Sequence, residues 1–283
     1  MVFAKTGKIR KIRLETVILQ VVLILLSLVY IVPFLWLVLG SLKTNTELFA
    51  TPTVWIPAIP QWSNYINAIQ SFPFLLYLKN TLLIIGYGII GSLLSNSLIA
   101  YGFSCIDWRG RNALFMVSLT GIMLPFQVTM IPLFLIFQKL KLIGTLLPMI
   151  ITTFFGNAFF IFLLRQFFIG IPKALIESAK IDGAREFTIF YRIVLPLAKP
   201  ALTTVVIFVF LNSWNDFVGP LIFLTDAKLY TLSIGIQQIM SQNDPRWTTL
   251  LPAGVIMTVP VLLIFFVLQK YFIQGIASSG IKG

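Results

Sequence analysis

Six stretches of this chain, 16–42, 80–106, 112–138, 142–164, 200–225 and 247–269, carry no Lys, Arg or Glu, and their single acid is Asp216 in the fifth. About 20 apolar residues cross the hydrocarbon of a bilayer as a helix. Inside that hydrocarbon every backbone N–H and C=O must be satisfied within the protein, so isolated runs of this kind can only be helices. The expected fold class is therefore an all-α membrane protein with six transmembrane helices. A composition of 58% hydrophobic and 11% charged residues excludes a soluble domain, and 283 residues suit one membrane domain.

The net charge of +12 suggests a nucleic-acid partner until the basic residues are placed. Five lie before the first run, two in 107–111, six in 165–199 and two after residue 269. The alternate intervals hold only Lys43, Lys79, Lys139, Lys141, Lys228 and Arg246. The richer side is cytoplasmic by the positive-inside rule. Both termini and the 171–200 loop are expected there, in a multi-pass membrane protein in contact with lipid and with no nucleic acid. The basic N-terminus followed by an apolar run has the outline of a secretory signal. The 16–42 run, however, far exceeds the roughly 7–15 apolar residues of a cleaved one, and is read as a retained helix.

Between the first two spans, 43–79 carries Pro52, Pro57, Pro60 and Pro73 with Trp55 and Trp62. This pattern predicts a loop along the outer membrane surface with a short helix near 62–71. Pro33, Pro125, Pro132, Pro220 and Pro260 inside spans predict a kinked bundle.

Enzymatic motifs fail on inspection. Gly86, Gly88 and Gly91 match a dinucleotide fingerprint, which needs a preceding strand and a helix start, yet they sit in mid-span. Gly88, Ser92 and Ser95 instead form a small-residue face for close helix packing. The 275–282 segment lacks the Gly-Lys-Ser/Thr core of a phosphate loop. No His and a lone Cys105 leave little from which to build a metal site or a nucleophile–base pair, so no cofactor is expected.

The 171–200 loop is the long polar interval on the cytoplasmic side. Pro172 suits a first helical turn, and Lys173 to Asp182 offers helix formers with no breaker. Gly183 can end that helix in the left-handed conformation. A second helix near 185–194 would align Phe187, Phe190, Tyr191 and Val194, with Pro196 and Pro200 closing it and starting the next span. The first helix would present Leu175, Ile176, Glu177 and Ala179 to a partner.

Glu177-Ser178-Ala179, then Asp182-Gly183-Ala184, then Ile193, Leu195 and Pro196 resemble the EAA loop of ABC-importer permeases, with Ser178 where Ala is usual. Further likenesses extend over most of the chain. Lys79-Asn80-Thr81-Leu82 resembles the opening of the family's second helix, and Ala100-Tyr101-Gly102-Phe103 with Gly110-Arg111 resembles its close. Cys105 stands where Arg is common, and 271–283 looks like the Gly-rich tail. Trp214-Asn215-Asp216-Phe217 is similar to the fifth helix of sugar permeases, where that region lines the path. Aromatic faces and amides suit sugars, and an ionisable group within a span is a functional candidate.

The resemblance implies a type I ABC-importer (MetI-like) permease fold of the maltose/maltodextrin type. In it, 1–15 is a cytoplasmic segment, 16–42 the first helix and 43–79 an extracytoplasmic loop. The transmembrane core would be 80–272, with its coupling loop at 171–200, and 273–283 a cytoplasmic tail. Leu175, Ile176, Glu177, Ala179, Asp182, Gly183 and Ala184 would couple to the ATPase, and Asn212, Trp214, Asn215 and Asp216 would line the path. The implied partners are a second, non-identical permease, two ATP-binding cassette subunits, an extracytoplasmic solute-binding protein and a sugar. ATP hydrolysis would belong to the partners, the chain itself being no enzyme. An ion-coupled secondary carrier is the alternative, but it needs several buried carboxylates, and the spans offer Asp216 alone. An intramembrane enzyme would need a catalytic cluster that the composition does not supply.

Overall fold

The structure is a computed structural model that describes residues 14–241 and 246–280, with side chains at 16–241 and 246–269. Among the described residues there are helices and no strands. They are α1 (Leu14–Ser41), α2 (Asn45–Leu48), α3 (Ser63–Gln70), α4 (Phe74–Ser104), α5 (Arg111–Thr120), α6 (Phe126–Lys139), α7 (Leu147–Ile151) and α8 (Ala158–Ile169). After these come α9 (Lys173–Ile181), α10 (Glu186–Ile189), α11 (Leu195–Leu197), α12 (Lys199–Asn215), α13 (Val218–Phe223), α14 (Leu232–Met240) and α15 (Trp247–Gly280). A π-helical turn, Phe190–Val194, joins α10 to α11.

Four spans are continuous in direction: Thr16–Ser41, Phe74–Ser104, Leu147–Ile169 and Trp247–Gln269. Two helix pairs are long and apolar enough only when each is taken as one bent span, Arg111–Met123 with Phe126–Lys139 at 98° and Glu186–Leu197 with Lys199–Asn215 at 78°. The first bend falls at Pro125, whose ring holds Leu124 in extended backbone (φ −83°, ψ 111°). The second falls at Ala198, just before Pro200.

The spans do not all follow the charge-free runs: the fourth, expected at 142–164, lies at Leu147–Ile169, with Arg165 inside α8. The second span opens at Phe74, after Pro73, because Lys79 is exposed on its helix and does not end it. The fifth span stops at Asn215, because Asp216 leaves helical geometry (φ −68°, ψ 116°). The chain is helical again only in the short α13.

The described residues form two compact units, those within 1–68 with 246–255 and those within 69–245 with 256–283. In the first, α1 is exposed from Val17 to Trp36, as a helix clothed in lipid would be. The loop after it is tied back to its end. Asn64 Nδ2 donates to Ser41 O (3.0 Å) and Lys43 O (2.9 Å), and Ser41 Oγ meets Tyr65 Oη at 2.7 Å. These bonds satisfy terminal carbonyls that no helical partner reaches. Thr44 and Glu47 close a capping box on α2, and Glu47 also accepts the Ala58 N–H at 2.9 Å. The backbone donors on Glu47 hold its carboxyl below the usual range.

In the second unit α4 is the central post, packed by α7, α8, α12 and α14. Its small-residue face does what the sequence predicts. A side chain at Gly91 would strike Thr153 and Phe154, and Gly88 lies against Val209 and Thr153. Opposite this face the fourth span breaks between α7 and α8, where Gly156 takes φ +84°. An unpaired backbone group at membrane depth is costly, and α4 supplies the partners. Ser95 Oγ donates to Thr153 O at 2.9 Å, and fully buried Asn96 accepts the Asn157 N–H at 2.6 Å through Oδ1. Asn157 then caps α8 with its own side chain.

The last helix runs unbroken from Trp247 to Gly280. The tail expected at 273–283 has its final three residues, and all its side chains, outside the described residues.

Candidate functional site

The polar loop between the fourth and fifth spans is built from its underside. Ile171, Ile176, Ala179, Ile189, Phe190, Val194 and Ala198 are buried in one cluster with Ala100 and Tyr101 of α4 and Leu164 and Phe168 of α8. Ile176 and Ala179, each 9% exposed, therefore anchor α9 to its own chain and are not presented outward. This corrects the expectation for those two residues: at i and i+3 they share one helix face, and that face is taken by the core. The opposite face carries Leu175 (44% exposed), Glu177 and Ser178, with Ile181 (86% exposed) at its end. Glu177 enters no salt bridge among the described residues.

Asp182 and Gly183 end α9 as the sequence predicts. Gly183 takes φ +79°, its N–H reaches Lys180 O at 3.0 Å, and Ala184 N–H reaches Ala179 O at 2.9 Å. This pair of bonds is a Schellman motif, in which the left-handed residue is nearly always Gly. A Cβ on Gly183 would meet nothing within 4 Å, so backbone conformation, not space, selects it. Asp182 is exposed and Ala184 packs on the core cluster.

The following segment departs from the expected stripe. Ile189, Phe190 and Val194 are buried, whereas Phe187 and Tyr191 are exposed. The π turn widens the helix at Phe190–Val194, so α-helical spacing misassigns the inward face. Pro196 has no N–H to donate to the Arg192 carbonyl, which is where an α-helical ladder would lose a rung.

At the other end of α12 the four path candidates separate. Trp214 is 3% exposed, stacks on Phe210 with centroids 5.4 Å apart, and donates Nε1–H to Met257 O at 3.0 Å. Its place is in the packing, which corrects its expected place along an open path. Asp216 accepts the Gly219 N–H at 3.0 Å, and its backbone carbonyl takes a 2.6 Å bond from Ser233 Oγ. It thus shapes the turn into α13. Asn212 and Asn215 remain exposed, three residues apart on one face, although Asn215 Nδ2 also donates to Leu211 O.

Several organising residues escaped the sequence reading. Asn80 and Thr81, expected to open a helix, lie within one: Asn80 Nδ2 donates to Lys228 O (2.9 Å) and Tyr230 O (3.0 Å), and Thr81 Oγ1 accepts Leu232 N–H. Glu186 accepts Tyr101 Oη at 2.6 Å and pairs with Lys180 at 2.7 Å. That pairing raises the pKa of Lys180. Two signals were available, a polar Asn96 in mid-run and Glu186 as the lone acid between Asp182 and Asp216.

Residues 105–278 match the family model described as binding-protein-dependent transport system inner membrane component. The chain belongs to this family. It is an ABC importer permease with a MetI-like fold.

This permease is 36% identical to the arabinooligosaccharides transport system permease protein of Bacillus subtilis, over 92% of its own length and 93% of the relative's. It is 30% identical to the lactose transport system permease protein of Rhizobium radiobacter, covering 94% and 97%. With the diacetylchitobiose uptake system permease protein of Streptomyces coelicolor the identity is 33%, over 91% and 86%. Among solved structures, a chain of a bacterial ABC transporter involved in the import of the acidic polysaccharide alginate superposes with a TM-score of 0.81. The match has 24% identity and covers 96% of the permease and 100% of that chain, a likeness of fold.

Proposed function

We propose that this permease forms half of the translocation path of an ATP-driven importer of a sugar or oligosaccharide. The other parts are a second, non-identical permease, two ATP-hydrolysing subunits and an extracytoplasmic binding protein that delivers the sugar. The relatives named for arabinooligosaccharides, lactose and diacetylchitobiose support this substrate class. The count of Lys and Arg supports cytoplasmic termini and a cytoplasmic α9.

One observation carries the reading: α9 is a nine-residue helix whose apolar underside is held by its own chain while Leu175, Glu177 and Ile181 stand outward. A surface helix fixed beneath and unpartnered above is fit to be pushed as a rigid body. ATP closes the ATPase dimer, α9 is carried with it, and the spans rock between inward- and outward-facing arrangements. The permease performs no covalent chemistry. On the path, the Asn212 and Asn215 amides can pair with sugar hydroxyls as donors and acceptors.

The test is co-purification of the permease from its own membranes, as wild type and as Glu177→Lys. The wild type brings down a second permease and an ATPase, and the variant stays in the membrane but loses the ATPase. A permease that purifies without an ATPase in both forms overturns the coupling role proposed for α9.

A further inference from the structure

A coupling helix can transmit motion only if something ties it to the spans, and apolar contact alone lets it slide. The Glu186 carboxylate uses each oxygen on a different element. Oε2 accepts the Tyr101 hydroxyl at 2.6 Å, and Oε1 meets Lys180 Nζ at 2.7 Å. Tyr101 lies in the last turns of α4, 4% exposed and set against Phe190 at 5.1 Å between centroids, so its hydroxyl has a fixed position. Lys180 is the next-to-last residue of α9. Glu186 itself opens α10, directly ahead of the π turn.

We propose that Glu186 is a positioning residue for coupling, a two-armed brace that makes α9 and the inner end of α4 move as one piece. The proposal rests on α9 being the helix that meets the ATPase. Without the brace, α9 could follow the ATPase while the Gly183 turn and the wider π turn absorbed the displacement. With it, movement of α9 reaches α4, against which α7, α8, α12 and α14 pack. The two bonds differ in setting: the Tyr101 side of the brace is buried, whereas the side chains of the Lys180–Glu186 pair are 46% and 43% exposed. Loss of the Tyr101 arm should therefore matter more.

The experiment uses the co-purified complex in a Cys105→Ser background, with spin labels on Lys173→Cys at the start of α9 and Gly102→Cys of α4. A Cβ at Gly102 meets nothing within 4 Å, so the label is tolerated there. The distance between labels is measured at rest and after trapping with ATP and orthovanadate. With the brace intact, the distribution is the same in both states. In Tyr101→Phe and Glu186→Gln it shifts or splits on trapping, and ATP hydrolysed per conformational cycle rises about fivefold or more, the lower end of common allosteric couplings. Lys180→Met removes the exposed arm alone and leaves the Tyr101 bond, so its shift is smaller than that of Tyr101→Phe.

A wild-type distance that changes on trapping, or variants that behave as wild type, overturns the proposal. So does loss of the ATPase from the Tyr101→Phe complex, since the residue would then serve docking. Retention of the ATPase by Glu177→Lys instead overturns the docking role on which the proposal rests, so the two failures are told apart.

Discussion

Gly183 and Trp214 show how a residue can match a family pattern for different physical reasons. Gly183 is needed for its φ of +79° and not for room. Holding an L-residue in that conformation costs roughly 1–2 kcal/mol. Gly183→Ala is therefore expected to lower the thermal stability of the purified permease by that amount, with Gly183→Asn milder, as thermal unfolding in detergent will show. Trp214 is buried, and its indole N–H is spent on Met257 O. Removing a buried aromatic side chain costs about 3–5 kcal/mol. Trp214→Ala should thus deplete the permease from membranes, whereas Asn215→Ala should leave its level unchanged and alter uptake across sugar concentrations. Immunoblots and uptake curves separate the two, and equal membrane levels for both variants would contradict the packing role.

At the scale of elements, polar side chains fasten what apolar patterning only outlines. The loop after α1 is folded against the end of that helix through Asn64, Tyr65 and Glu47. The Glu47 carboxyl has its pKa lowered by the Thr44 and Ala58 N–H groups, so its contribution is present above the ordinary carboxylate range and is lost as pH falls through the lowered value. Hydrogen exchange at the Thr44 and Ala58 amides should quicken as pH drops below about 4, relative to the same amides in Glu47→Gln corrected for intrinsic rates. An unchanged ratio would mean the carboxylate does not hold the loop. The bent elements have a similar logic. Pro125 forces the preceding Leu124 out of helical backbone, whereas the second bend falls at Ala198, and Pro200 sits in the first turn of the helix that follows.

For the molecule as a whole, hydropathy made four continuous membrane helices and two bent pairs readable, and a spaced set of small, acidic and glycine residues made α9 and its end readable. What escaped was orientation. Ile176 and Ala179 belong to the anchored face because the core of Ala100, Tyr101 and Leu164 lies beneath them, a fact of tertiary packing that no local spacing contains. Phe187 and Tyr191 face outward because the inward face of this segment is set by Ile189, Phe190 and Val194, and the π turn breaks the α-helical period within it. Trp214 was readable as important but not as buried, since a path and a packing interface both take aromatic residues. The polar ties at Asn80, Asn96 and Glu186 join residues 61 to 150 positions apart, beyond any window of sequence.

The mended break in the fourth span has a bearing on how the permease is made. Thr153 and Asn157 leave backbone groups that the segment cannot satisfy by itself, and their partners Ser95 and Asn96 sit on α4. A ribosome delivers α4 to the membrane before that span emerges, so the splint is already in place when the fracture arrives. Were the order of synthesis reversed, the broken segment would have to wait in an aqueous or translocon environment for its support. The permease's connectivity is thus also a schedule, one that spares its least self-sufficient segment from meeting lipid alone.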